Sequence, residues 1–153
     1  VVRDTIELTR SMLTMRHVTA VTQLGVDLPP VSGDRVQLQQ LLLNLIVNAC
    51  DAVADLSDDR RVVTIRTSAE TGGVQLCVTD RGPGVSPEAA DKLFEPFWST
   101  KPRGMGMGLA VCRSIAEAHR GSLTASNLPE GGADFCLRLP GVPVQVQVPA
   151  PSP

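Results

Sequence analysis

Apolar residues return along this chain in two rhythms, and the rhythm changes where Gly and Pro cluster. Residues 2–16 carry Ile6 and Leu13 at roughly helical spacing, which predicts a short first helix. Val18, Ala20, Thr22 and Leu24 then alternate as a strand does, and Asp27-Leu28-Pro29-Pro30 ends the run. A long second helix follows, with Asp34 as its cap. Leu38, Leu41, Leu42, Leu45, Ile46, Ala49 and Val53 form one broad apolar stripe on it. Val63-Ile65-Thr67 and Val74-Leu76-Val78 alternate on either side of Glu70-Thr71-Gly72-Gly73 and predict a hairpin.

A Gly/Pro-rich stretch from Asp80 to Pro87 leads to a short helix started by Ser86 and Pro87. Residues 96–108 are rich in Pro, Gly and small polar residues and read as a mobile loop. The next helix runs from about Gly108 to His119 and stops at Arg120-Gly121. Leu123 to Ala125 and Ala133 to Leu139 supply two last strands, and no internal repeat is present. This order predicts an α+β fold, with one layer of helices on a mixed, mainly antiparallel sheet. The uncharged tail, 141–153, reads as disordered or as a linker.

Composition narrows the picture. The chain has 153 residues, enough for one domain with a real core. It is 42% hydrophobic but only 3% aromatic, so that core must be aliphatic. Net charge is −2 with both signs dispersed, and no basic block suits nucleic acid or an anionic membrane. The longest apolar runs, such as Leu41-Leu42-Leu43, are too short to span a bilayer. The opening Val1-Val2-Arg3-Asp4 has no signal-peptide layout and no initiator Met, which suggests a fragment. Cys50, Cys77, Cys112 and Cys136 have no Cys-x-x-Cys spacing and no histidine nearby. The expectation is four buried thiols in a reducing compartment, rather than disulfides or zinc, and a cytoplasmic address.

Four segments carry candidate chemistry. On the second helix, Asn44, Asn48 and Asp51 are three or four residues apart and share a face. One reading is a solvated helix edge. The other is that Asn48 offers a neutral carbonyl oxygen to a phosphate-bound Mg²⁺, which takes hard oxygen ligands and keeps several waters. Asp80-Arg81-Gly82-Pro83-Gly84 follows a strand end directly: either a plain turn, or a carboxylate placed to accept from an exocyclic amine beside backbone that allows close approach. Gly104-Met105-Gly106-Met107-Gly108-Leu109 runs into a helix, as a hinge or as a cradle of N–H groups for phosphates. No strand precedes it, so it is not a dinucleotide fingerprint, and it lacks the Lys-Ser/Thr ending of the common phosphate loop. Phe94-Glu95-Pro96-Phe97-Trp98 reads as a hydrophobic plug anchoring the loop, on which Lys101 and Arg103 either reach phosphates or are simply solvated.

In this order the segments resemble the asparagine box, first glycine box, phenylalanine box and second glycine box of the histidine-kinase branch of the Bergerat-fold ATPases. The resemblance covers about Asp34 to Leu139, roughly two thirds of the chain. Its tightest part, Phe94 to His119, is similar to oxygen-sensing and hybrid sensor kinases. It implies a two-layer α/β sandwich of about five strands under about three helices. It places Asn48 on Mg²⁺, Asp80 on the adenine amine and Val85 in the base pocket. Gly104, Gly106, Gly108 and Leu109 would surround the triphosphate, and Asn44, Asp51, Gly82, Gly84 and Lys101 would complete the ATP site. Asn48 and Lys101 would be the catalytic groups. Gly131-Gly132-Ala133-Asp134-Phe135 resembles the terminal glycine-rich strand start, without the threonine some members carry.

Related hydrolases place a glutamate where Asn44 stands, and so do most serine-type anti-sigma kinases. An amide accepts no proton near neutral pH, so slow ATP hydrolysis is expected. Neither His17 nor His119 has the His-Glu/Asp context of a phosphoacceptor. His119 reads instead as a helix end, where a cation would suit the dipole. The resemblance then implies the ATP half of a histidine kinase: a junction helix (1–17), an ATP-binding domain (18–140) and a tail (141–153). Its partners would be a phosphoacceptor helical hairpin and, through it, a response regulator, with no nucleic-acid or membrane contact and a monomeric isolated domain. The rival readings are a self-contained ATPase and a nucleotide-binding regulatory module without phosphotransfer.

Overall fold

The computed structural model describes residues 1–100, 106–143 and 149–152. Helix α1 (Val2–Met15) precedes strand β1 (Thr19–Leu24), and α2 (Arg35–Ala52) is the long helix. Strands β2 (Val62–Glu70) and β3 (Gly73–Asp80) form the hairpin, joined by Thr71 and Gly72 alone. The one-turn helix α3 (Pro87–Ala90), α4 (Gly108–Ala118), β4 (Ser122–Asn127) and β5 (Ala133–Pro140) complete the order. The sheet runs β1-β2-β3-β5-β4, with β1 parallel to β2 and every other pair antiparallel. The expected α+β fold with five strands is therefore the one observed.

Local chemistry explains the element ends. The Asp34 side chain accepts from the Gln37 N–H at 2.9 Å, and Ser86 Oγ accepts from the Ala89 N–H at 3.2 Å. At the end of α4 the Gly121 N–H bonds to the Ala116 carbonyl and the Arg120 N–H to that of Glu117, a Schellman closure. The left-handed residue there is Arg120 (φ 57), not Gly121. Glycine is required at 121 for space: a Cβ would stand 2.2 Å from the Arg138 carbonyl oxygen.

The apolar stripe of α2 and the inner face of α4 pack on one face of the sheet. Leu41, Leu42, Leu45 and Ile46 of α2 meet Val63, Ile65, Val78 and Phe135 below them, with Cys112 and Ala116 of α4 alongside. Truncating a fully buried residue such as Leu41 to Ala costs about 2–5 kcal/mol. Helix α1 joins this layer through Leu13 and through ion pairs from Asp4 to Arg35 and from Arg16 to Asp51. After β5, the Gly141 N–H bonds to the Gly72 carbonyl and the Val142 N–H to that of Pro30.

One expectation needs correction. Cys50 and Cys112 are buried free thiols, but Cys77 and Cys136 are joined in a disulfide. The β3–β5 register sets them directly opposite each other, with Cα atoms 4.2 Å apart, on the sheet face away from the helices. Spacing along the sequence gives no sign of a pairing made by register across 59 residues. His119 is the C-cap of α4, as expected. Its Nε2 accepts from the Asp34 N–H at 2.9 Å and its Nδ1 lies 2.7 Å from the Ile115 carbonyl, so the ring bridges α4 to the start of α2.

Candidate functional site

The polar face of α2 opens onto a cleft of about 510 Å³ between α2 and the start of α4. Asn44, Asn48 and Asp51 line one wall, and Gly106, Gly108 and Leu109 the other, with Leu93 and Trp98 also contributing. The helical spacing that put the three polar residues on one face has a ligand-sized space in front of it. Asp51 is also ion-paired with Arg16 at 2.6 Å, so it braces α1 as well as lining the cleft.

Asn44 Nδ2 points toward the Gly108 carbonyl at 3.5 Å, tying α2 to the first residue of α4. It also lies against the Cys112 thiol, whose pKa burial pushes up to about 12 despite that contact. Met107, at the N-cap of α4, makes no side-chain cap hydrogen bond among the described residues. Met107, Gly108 and Leu109 line the cleft, so the positive end of the helix dipole lies at its wall. Beside it the Phe97 N–H bonds to the Gly106 carbonyl at 3.0 Å. Gly106 has φ 68 and sits where a Cβ would meet the Phe97 backbone at 2.4 Å. Phe94 and Trp98 pack against the core as the plug reading expects, but Phe97 is 78% exposed and takes no part in it. Lys101 and Gly104 lie outside the described residues.

Asp80 ends β3 and is 1% exposed. Its Oδ1 accepts from the Gly82 N–H at 2.8 Å and the Ala133 N–H at 3.4 Å; no other hydrogen bond reaches this carboxylate among the described residues. Burial pushes its pKa up from the ordinary carboxylate value, the two N–H donors pull it back down, and the Asp134 carboxylate adds a smaller push upward. A buried acceptor with one oxygen fixed and one open suits a neutral donor such as an exocyclic amine.

Asp80, Gly82, Gly84 and Val85 do not line the 510 Å³ cleft; they form a second cluster beyond the end of α2. The connection between the two runs through Ala52. A Cβ on Gly82 would stand 2.6 Å from the Ala52 carbonyl oxygen, so the turn after β3 is pressed on the last residue of the helix bearing Asn44, Asn48 and Asp51. The sequence pattern does not single out Asn127, which bonds twice to Val85. An Asn closing a strand carries no signal of a partner 42 residues away.

The arrangement has relatives. Residues 33–143 match the family model described as histidine kinase-, DNA gyrase B-, and HSP90-like ATPase. The chain belongs to that ATPase family. The domain is 43% identical over 116 residues to the sensor protein FixL of Bradyrhizobium diazoefficiens, which covers 76% of this chain and 22% of that protein. To the C4-dicarboxylate transport sensor protein DctS of Rhodobacter capsulatus it is 38% identical over 140 residues, 92% of this chain and 21% of that protein. The domain thus spans about a fifth of the length of these curated relatives. Among solved structures, it superposes on the catalytic domain of the histidine kinase ThkA with a TM-score of 0.79 at 28% identity, covering 91% of this chain and 89% of that one. Full-length ShkA in complex with AMPPNP gives 0.77 at 29% identity, covering 92% and 29%. The fold of this chain is that of the ThkA histidine kinase catalytic domain.

The donor set also permits a metal test. Asn44 and Asn48 present neutral amide groups in the cleft, and among the described residues that line it no cluster of carboxylates forms a closed cage. That fits Mg²⁺ held by one side-chain oxygen, phosphates and waters, and fits a fully protein-ligated metal poorly. The Cys77, Asp134 and Cys136 group is no competitor, because its two sulfurs are bonded to each other.

Proposed function

We propose that this domain binds Mg-ATP and delivers its γ-phosphate to a histidine on a phosphoacceptor helical hairpin. The observation that carries the reading is the shared cleft: Asn48 faces the uncapped start of α4 across a space that admits a phosphate chain. Asp80 and Val85 would take the adenine, and Gly106, Gly108 and Leu109 the phosphates, together with Gly104 and Lys101. Gly82 and Gly84 would shape the base end, Asp51 would keep α2 anchored, and Asn48 would be the protein ligand of Mg²⁺. Bound there, the ion would neutralise phosphate charge.

In the transfer, the unprotonated imidazole nitrogen of the acceptor attacks the γ-phosphorus in line, the bond from that phosphorus to the β–γ bridging oxygen breaks as ADP leaves, and the other ring nitrogen gives up its proton to solvent. The domain contributes position and charge stabilisation. Asn44 favours a kinase over a hydrolase: its amide reaches toward the Gly108 carbonyl and has no basic site with which to activate water. In the cell the domain would work in the cytoplasm, where ATP is available, monomeric when isolated and upstream of a response regulator. No helix among the described residues is long and apolar enough to cross a membrane.

Mixing the domain with a separately made phosphoacceptor hairpin and γ-labelled ATP tests this. Label on the hairpin histidine with little phosphate release is expected. Steady phosphate release without a hairpin would instead favour a self-contained ATPase. Nucleotide binding with neither outcome would favour a regulatory module.

A further inference from the structure

We propose that Asn127 is a positioning residue that sets the width of the adenine end by holding Val85 in place, an inference that rests on the nucleotide-binding reading above. Asn127 is the last residue of β4. Its side-chain amide lies along the backbone of Val85 as a neighbouring strand would. Oδ1 accepts from the Val85 N–H at 2.7 Å and Nδ2 donates to the Val85 carbonyl at 2.8 Å. Both backbone polar groups of Val85 are satisfied by one side chain, in a segment that belongs to no strand ladder.

The fit is close on both sides. Gly84 has φ 81, and a Cβ there would stand 2.8 Å from Asn127 Oδ1, so conformation and space both call for glycine. Past Asn127, the chain turns back through the Leu128 N–H bond to the Gly132 carbonyl at 3.0 Å, and the Ala133 N–H reaches Asp80 Oδ1. One β4–β5 turn therefore grips both ends of the 80–85 loop. Asp80 is held from Ala133 and Val85 from Asn127, and the turn fixes the distance between the two. Asn127 itself is solvent-exposed and outside the core, so its replacement leaves the packing of the domain intact.

The consequence separates Asn127 from residues at the phosphate end. Loss of its amide loosens the base end alone, so ligands with and without the γ-phosphate or Mg²⁺ weaken by the same factor. The test compares the parent chain with Asn127→Ala and with a control, Glu130→Ala, in the same turn. Calorimetric affinities for ADP without Mg²⁺ and for Mg-ATP are measured with thermal midpoints, and amide exchange at Val85 is followed by NMR. Asn127→Ala is expected to lose about three- to tenfold for both ligands. Its midpoint should stay within about 3 °C of the parent. Val85 exchange should become faster, and Glu130→Ala should match the parent throughout. Unchanged affinity in Asn127→Ala, or a loss confined to Mg-ATP, overturns the proposal, as does unchanged Val85 exchange. If the parent itself binds no adenine nucleotide, the binding reading is what fails; the hold on Val85 is then decided by the exchange rate alone.

Discussion

Gly132 is pressed against Asp80: a Cβ on Gly132 would stand 2.0 Å from the Asp80 backbone oxygen, and its φ is 101. This is the contact through which the start of β5 holds the end of β3. Gly132→Ala should therefore lower stability by about 2–6 kcal/mol, combining backbone strain with overlap. Gly131 has a similar φ of 95 but open space around it, so Gly131→Ala should carry the strain alone, about 1–3 kcal/mol. Denaturant unfolding of the two variants compares them directly; equal losses would contradict the close contact.

Asp80→Asn replaces an open acceptor with a donor facing a donor. ATP affinity should fall by about 10- to 150-fold, or 1.5–3 kcal/mol. Unchanged affinity would remove Asp80 from the base site.

Stability should respond in the opposite direction to binding. Because burial raises the Asp80 pKa, its contribution to stability is full below the ordinary carboxylate pKa of the unfolded chain. That contribution is lost as pH rises through the raised folded value. The stability of the parent relative to Asp80→Asn in nucleotide-free protein should therefore decline across that window. A difference that stays constant with pH would contradict the assignment.

The Cys77–Cys136 bond closes a loop with a sequence separation of 59. Chain-entropy arguments give it about 4 kcal/mol, and less if the unfolded chain is compact. Reductant should lower the denaturant midpoint of the parent and leave a Cys77→Ala/Cys136→Ala variant unaffected. Identical midpoints for the parent with and without reductant would mean that the bond stabilises nothing. A cytoplasmic address would set this bond against a reducing pool, so its redox state in cells is worth measuring alongside.

Asn48→Ala should weaken Mg-ATP more than metal-free ADP, because the lost oxygen would serve the metal. Equal losses measured by titration would make Asn48 a structural residue.

How far the chain could be read before folding depends on where each signal lies. The apolar stripe of α2, the Asp34 and Ser86 caps and the strand alternation are local, and they match the structure to within a residue or two. Asn44, Asn48 and Asp51 share a face because helical spacing requires it, and α4 begins at Gly108 as the glycine run suggests. The rest is set by contacts made across the sheet. The Cys77–Cys136 bond, the Asn127 hold on Val85 and the His119 bridge to Asp34 join residues 59, 42 and 85 positions apart. Arg120 takes the left-handed position beside a glycine because Gly121 is needed where the Arg138 carbonyl comes close. Periodicity carries no trace of such distances.

The measurement that bears most directly on the central claim is calorimetric titration of this chain with ATP, ADP and GTP, each with and without Mg²⁺. Adenine-selective binding is expected, with ATP affinity raised by Mg²⁺. A folded sample that binds none of them, or binds GTP as well as ATP, would contradict it.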